Sequence, residues 1–249
     1  MKGDRLLSTM YSILKGIAKK LPFSVRTKKF LRRIINPAKL YFLGNATSPL
    51  SNYYGFDRGN PIDRFYIENF LYQNKKFIRG TCLELLNNKY TTKYGGAEVT
   101  KSDILDIDET NNNATIIDDL RHLKKVPDNS YDCIILTQVL QFIDDVDSAV
   151  SEGYRVLNKG GVILATLPSV SRIDCISGVE GDYWRFTEAS AKYLFEKKFD
   201  PGQLTIGSLG NVRSGVCFYA GFAQEDVPSG ILKKNDPNFP LIVTVKAVK

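Results

Sequence analysis

Glu84, Asp103, Asp118, Asp119 and Gln138 each stand within or just after a short apolar run, and each offers a side-chain oxygen as hydrogen-bond acceptor. Asp103 trails Glu84 by 19 positions. An interval of about 20 separates a first-strand turn from an acid that hydrogen-bonds ribose hydroxyls. Singly, such residues are ordinary loop positions or helix caps. In this order they point to a nucleoside held along the rim of a sheet. A second group is the run Gly181 to Thr187, GDYWRFT, which sets a carboxylate, two aromatic rings and a guanidinium together. One reading makes Asp182 a proton acceptor and Arg185 a clamp for an anionic substrate. The preferred reading is a structural Asp–Arg pair, with Trp184 as an aromatic anchor and Thr187 capping the next helix. His122 is the single histidine, so a multi-histidine metal site is excluded and no metal is expected.

These side chains need a scaffold, and the apolar pattern supplies one. Short apolar runs occur at 81–86, near 98–105, at 114–117, 131–137, 162–167 and 241–248, with helical patterns at 144–157 and 187–198. Strands alternating with helices predict right-handed βαβ units and a parallel sheet covered on both faces. The run DCIILT at 132–137 is apolar enough for a central strand. Ahead of the first strand, residues 61–78 begin with Pro61 and space Ile62, Phe65, Tyr66 and Phe70 as a helix would. Residues 41–60, rich in Gly, Asn, Ser and Pro, read as a connection.

Charge is distributed unevenly. Residues 1–40 carry eleven Lys or Arg against Asp4 alone, while the whole 249-residue chain has a formal charge of +7. Leu6, Leu7, Met10, Leu14, Ile17 and Leu21 recur among those lysines at helical spacing. A basic amphipathic arm of this kind suits an anionic membrane surface or an acidic partner; packing on its own domain is the equal alternative. The four cysteines form no CxxC pair, which argues for a reducing compartment and against a thiolate zinc site. The expected location is the cytoplasm, with peripheral attachment at the inner membrane face through the arm.

The motifs LELLNNKYTTKYGG, SDILDID, GFDRGNPIDRFYIENFL, GDYWRFT and the long run at 131–168 resemble the class I S-adenosylmethionine-dependent methyltransferases, in a bacterial branch associated with glycan-type pathways. The resemblance covers about residues 53–248. It implies a Rossmann-like α/β fold with a mostly parallel seven-stranded sheet, the last strand antiparallel, behind an N-terminal helical arm. The implied division is an arm at 1–40, a linker and lead-in helix at 41–80, and a methyltransferase-like domain at 81–249. It further implies S-adenosyl-L-methionine as cofactor, with Glu84, Leu86 and Asn87 at its methionine end and Asp103 at the ribose. Asp119 and Leu120 would meet the adenine, and Gln138 would lie between cofactor and acceptor. The acceptor would be a small or glycan-linked molecule. The chain departs from the family where glycines usually follow the first-strand acid: Leu85, Leu86, Asn87 and Asn88 stand there instead. Asn tolerates left-handed backbone angles and still suits a turn, whereas Leu86 adds bulk where backbone should approach a ligand. Two alternatives follow from other classes. One is a non-catalytic relative that organises a glycan-assembly complex. The other is a nucleic-acid methyltransferase, disfavoured because the chain beyond the arm is net acidic and the arm interleaves its charges with aliphatic residues.

Overall fold

The computed structural model describes residues 47–249 and, ahead of them, Thr27 alone. The basic arm expected over 1–40 therefore lies, but for Thr27, outside the described residues. From Ile62 the elements run α1 (Ile62–Gln73), β1 (Gly80–Leu85), α2 (Lys89–Gly95), β2 (Val99–Asp106), β3 (Ile116–Ile117), β4 (Tyr131–Thr137), α3 (Val146–Val156) and β5 (Leu157–Pro168). They continue as α4 (Gly178–Gly181), α5 (Glu188–Glu196), β6 (Leu204–Leu209), α6 (Val212–Tyr219), α7 (Ser229–Leu232) and β7 (Ile242–Val248).

The strands form one seven-stranded sheet in the order β3-β2-β1-β4-β5-β7-β6. Every pairing is parallel except the two made by β7, which runs antiparallel to both β5 and β6. After β3 the chain returns to place β4 on the other side of β1, so the crevice beyond the ends of β1 and β4 is the switch point where open α/β sheets hold ligands. Burial explains why β1, β4 and β5 occupy the middle. Cys82, Leu83, Cys133, Ile134, Ile135 and Leu136 are wholly buried, as are Ile163, Leu164 and Ala165, and strands covered on both faces need such continuous apolar runs.

Two features go beyond the expected strands. β6 has no apolar run to mark it; Leu204, Ile206 and Ser208 alternate with Thr205, Gly207 and Leu209 at a half-buried edge. β5 begins at Leu157, five residues earlier than 162, because Gly160 takes a φ of +80° and the pairing with β4 shifts register between Tyr131 and Cys133.

The described chain divides into two compact units, residues 47–62 with Val216–Ser229, and Asp63–Gly215 with Gly230–Lys249. The first includes most of the stretch expected as a connection. It is closed by Arg58, whose Nε donates to Asp226 at 2.8 Å, and by a bridge between Pro61 and Ala223. Gly55, at φ +91°, passes so near Phe222 that a Cβ would stand 2.7 Å from its carbonyl oxygen, which is why only glycine fits. The second unit holds the whole sheet and every expected site residue.

Candidate functional site

β1 ends at Leu85, paired with Leu105, and the chain then turns sharply. Leu86 keeps the ladder by donating its amide to the Leu105 carbonyl at 3.0 Å, but with a φ of +66°. That backbone state is the one glycines usually supply, and a branched side chain there is an outlier. The side chain is 59% exposed, so it lies along the cleft mouth and not in the core. Asn87 continues the turn, donating its amide to the Leu85 carbonyl and accepting from the Lys89 amide. α2 then starts without a side-chain cap from Asn88. Glu84 fills that role from below: its two carboxylate oxygens accept the amides of Tyr90 at 3.2 Å and Thr91 at 2.8 Å. Burial pushes the Glu84 carboxyl up, and those amides pull it partly back. The acid expected at the cofactor's methionine end is thus engaged in holding the loop.

The rim acid of β2 is Asp106, three residues beyond the expected Asp103. Asp103 pairs with Leu83 in mid-strand and is buried. Its carboxylate accepts from Lys101 Nζ at 2.7 Å, Tyr131 Oη at 3.0 Å and Thr115 Oγ1 at 3.2 Å, and it does not line the cleft. Burial of the Tyr131 phenol, and after it the Asp103 carboxylate that it donates to, push that phenol up. Asp106 closes β2 and lines the cleft, accepting from the Asp108 amide and from Asn111 Nδ2. An ionised carboxylate offers about four lone-pair sites, so it retains capacity for a ligand hydroxyl. The strand expected near 98–105 runs from Val99 to Asp106, and its last residue is the acid that lines the cleft.

Beyond β3, Asp119 accepts the Arg121 amide and the Arg121 guanidinium, whose Nη2 approaches to 2.6 Å, and Arg121 also reaches Asp144 at 2.7 Å. That guanidinium holds the Asp119 carboxyl below its usual range. The charged lattice positions Leu120, which is buried and turned to the cleft. At the end of β4, Gln138 also has a left-handed backbone, φ +55°, and donates its amide to the Thr166 carbonyl. Gln141, missed in the sequence, secures the next turn. Its Nε2 donates to the Gln138 carbonyl, and its own carbonyl accepts the amides of Tyr183 and Trp184.

Asp182 and Arg185 are brought together, but as structure. Arg185 donates to both Asp182 oxygens, at 2.6 and 2.9 Å, and to the carbonyls of Ser171, Arg172 and Trp184. The Asp182 side chain is 2% exposed and also accepts the Asp174 amide. Arg185 thus engages both oxygens that a proton acceptor would use, and neither residue is among those lining the cleft. Thr187 caps α5 in a reciprocal capping box with Ser190. Trp184 anchors through Nε1 to the Ile143 carbonyl at 2.8 Å. Tyr183 alone of this group reaches the cleft.

The result is a cleft of about 330 Å³ at the switch point, within the range of small-molecule sites. Leu85, Leu105, Leu120, Val139, Phe142 and Ile143 give it apolar walls, while Leu86, Asp106, Asp119, Gln138 and Tyr183 stand around them. Residues 80–165, from β1 well into β5, match the Methyltransf_11 model, described as a methyltransferase domain. No curated protein matches the chain. Among solved structures it is similar to an S-adenosylmethionine-dependent methyltransferase from Archaeoglobus fulgidus, with a TM-score of 0.51 at 12% identity over 75% of this chain and 94% of that one. It is also similar to the [4+2]-cyclase SpnF, with a TM-score of 0.51 at 14% identity over 91% and 97% of the two chains. At such identities the likeness is one of fold. The sheet is the Rossmann-like class I methyltransferase fold. Over residues 80–165 the chain is similar to a methyltransferase domain, and the cofactor named for the Archaeoglobus fulgidus protein is S-adenosylmethionine.

The cleft fits that cofactor. Apolar walls on both sides suit a purine ring, the β2 terminal acid suits ribose hydroxyls, and the turn after Glu84 follows a glycine-like path although no glycine is present. Leu86 does not fill the space, because its side chain is turned largely to solvent.

Proposed function

We propose that this protein methylates a small-molecule or glycan-linked acceptor, which enters the cleft beside Tyr183. The observation that carries this reading is the apolar cleft at the switch point, with Asp106 at the end of β2 and left-handed turns at Leu86 and Gln138 on its rim. S-adenosylmethionine, when bound, supplies an activated methyl group, so the protein's part is position, orientation and exclusion of water. Asp106 orients the ribose, and Leu105 and Leu120 enclose the base. Gln138, fixed through Thr166 and Gln141, presents its amide on the acceptor side. Two backbone outliers on one cleft support a functional cause, because strain of about 1–3 kcal/mol each persists only where the surroundings enforce it. Asp182 does not serve as a base in this reading, since Arg185 occupies both its oxygens. The glycan-linked acceptor rests on the sequence motifs alone.

Calorimetric titration with S-adenosylhomocysteine tests the reading. Binding by the wild type, weakened about 5- to 150-fold by Asp106→Ala, is the expected result. A folded wild-type protein that binds neither this ligand nor S-adenosylmethionine would instead support a non-catalytic, complex-organising role.

A further inference from the structure

Glu84 has one lone pair of each carboxylate oxygen engaged by a backbone amide and carries no positive charge, so the amino-acid end of the cofactor needs charged partners besides it. The start of α1 offers them. Asp63 is 8% exposed, and its Oδ1 has no hydrogen-bond partner. A buried carboxylate oxygen without a partner is costly, and it marks a place where a ligand, water or ion can supply the missing donor. Arg64, its neighbour, donates from Nη1 to Tyr90 Oη at 3.1 Å and is attracted electrostatically to both Asp63 and Glu68. The side chains of Asp63 and Arg64 feel each other's charge without closing on one another as an ion pair. Tyr90 links this pair to the loop over the cleft, because its own amide donates to Glu84 in the turn that follows Leu86. A buried carboxylate with an open oxygen and a guanidinium beside it, left unjoined, match the two charges of a zwitterion.

We propose that Asp63 and Arg64, with Tyr90, form a subsite for the α-ammonium and α-carboxylate groups of the cofactor's amino-acid end. Asp63 Oδ1 accepts from the ammonium. The Arg64 fork takes the carboxylate, aided by the Tyr90 hydroxyl that already orients it. The lead-in helix thereby does work that a glycine loop, absent here, would share through its backbone amides. This inference rests on the cofactor reading above and adds which residues discriminate the amino-acid end.

Titration of the full chain with three ligands tests it. S-adenosylhomocysteine carries both charges, its decarboxylated analogue S-adenosyl-3-thiopropylamine keeps only the ammonium, and 5′-methylthioadenosine has neither. Asp63→Asn and Arg64→Gln should each weaken S-adenosylhomocysteine roughly 10- to 150-fold. Neither should change 5′-methylthioadenosine affinity. Asp63→Asn should still weaken the decarboxylated analogue, and Arg64→Gln should not. Melting temperatures identify a variant that fails to fold, and Tyr90→Phe, which removes one hydroxyl, then provides the same comparison with a smaller loss. Equal weakening of all three ligands, or unchanged S-adenosylhomocysteine affinity in folded variants, would overturn the subsite while leaving the cofactor reading intact. A folded wild type that binds none of the three overturns that reading, and the subsite with it.

Discussion

Leu86 sets two local effects against each other. Its φ of +66° costs a branched residue about 1–2 kcal/mol, and glycine would relieve that. Glycine also gains freedom in the unfolded chain, which costs roughly 0.5–1 kcal/mol. No cavity penalty enters, because the side chain lies largely in solvent. Leu86→Gly should therefore leave the melting temperature within a few degrees of wild type and S-adenosylhomocysteine affinity little changed; a large stability loss would contradict the exposed position, and a marked gain in affinity would show the side chain crowding the cofactor. Asp63 makes the opposite trade. Burial raises its carboxyl above the ordinary aspartate range. Between the unfolded and the raised folded value the native chain holds a proton that the unfolded chain has released, so this group's contribution to stability falls as pH rises through that window and recovers below it. Asp63→Asn should raise the melting temperature at about pH 7.5 and do so less at about pH 4.5. Glu84, shifted in the same direction, is present in both proteins, so the difference between their pH profiles isolates Asp63. An asparagine variant less stable than wild type at both pH values would show that the carboxylate is structurally satisfied.

Strands announce themselves when burial on both faces forbids polar residues, and this is why β1, β4, β5 and β7 were legible at 81–86, 131–137, 162–167 and 241–248. β6 was not, because an edge strand paired only with β7 needs few apolar residues and its six show no continuous run. The rim acid shows a finer limit. Sequence spacing places an acid near the end of β2, but Asp103 and Asp106 both satisfy it, and only the register, Leu83 against Asp103 and Leu105 against Ile116, decides which reaches the end. Asp106→Ala should weaken S-adenosylhomocysteine binding, whereas Asp103→Ala should act mainly on stability by stranding the Tyr131 hydroxyl and Thr115. Comparing affinity and melting temperature for the two variants checks the register. The acceptor loop follows the same logic. Type and spacing could suggest an Asp–Arg pair in GDYWRFT, but the carbonyls that surround Arg185 come from 171, 172 and 184, and only the folded loop brings them together. Asp182→Asn should cost on the order of 3 kcal/mol, since it leaves a partly buried guanidinium short of its counter-charge. Loss of turnover in a variant with unchanged melting temperature would return Asp182 to the catalytic role.

For the whole molecule, the question is what the basic arm does for a domain that is net acidic without it. No helix among the described residues is long and apolar enough to cross a membrane. Residues 1–36 hold ten Lys or Arg against Asp4, and their removal takes the formal charge from +7 to −2. Each basic residue near an anionic bilayer contributes about 1 kcal/mol at moderate salt, and that attraction fades as the screening length shrinks below about 8 Å. The sheet, the cleft and the Asp63–Arg64 pair all belong to 63–249, beyond the deleted segment. Deleting residues 1–36 should therefore leave S-adenosylhomocysteine affinity unchanged. It should abolish sedimentation with phosphatidylserine-containing vesicles, while the full chain binds those vesicles at low salt, releases them at high salt and ignores phosphatidylcholine alone. Vesicle binding that survives the deletion would assign the membrane contact to another surface. A truncated chain that no longer folds would instead show the apolar stripe from Leu6 to Leu21 packing on the domain, with its lysines left to solvent.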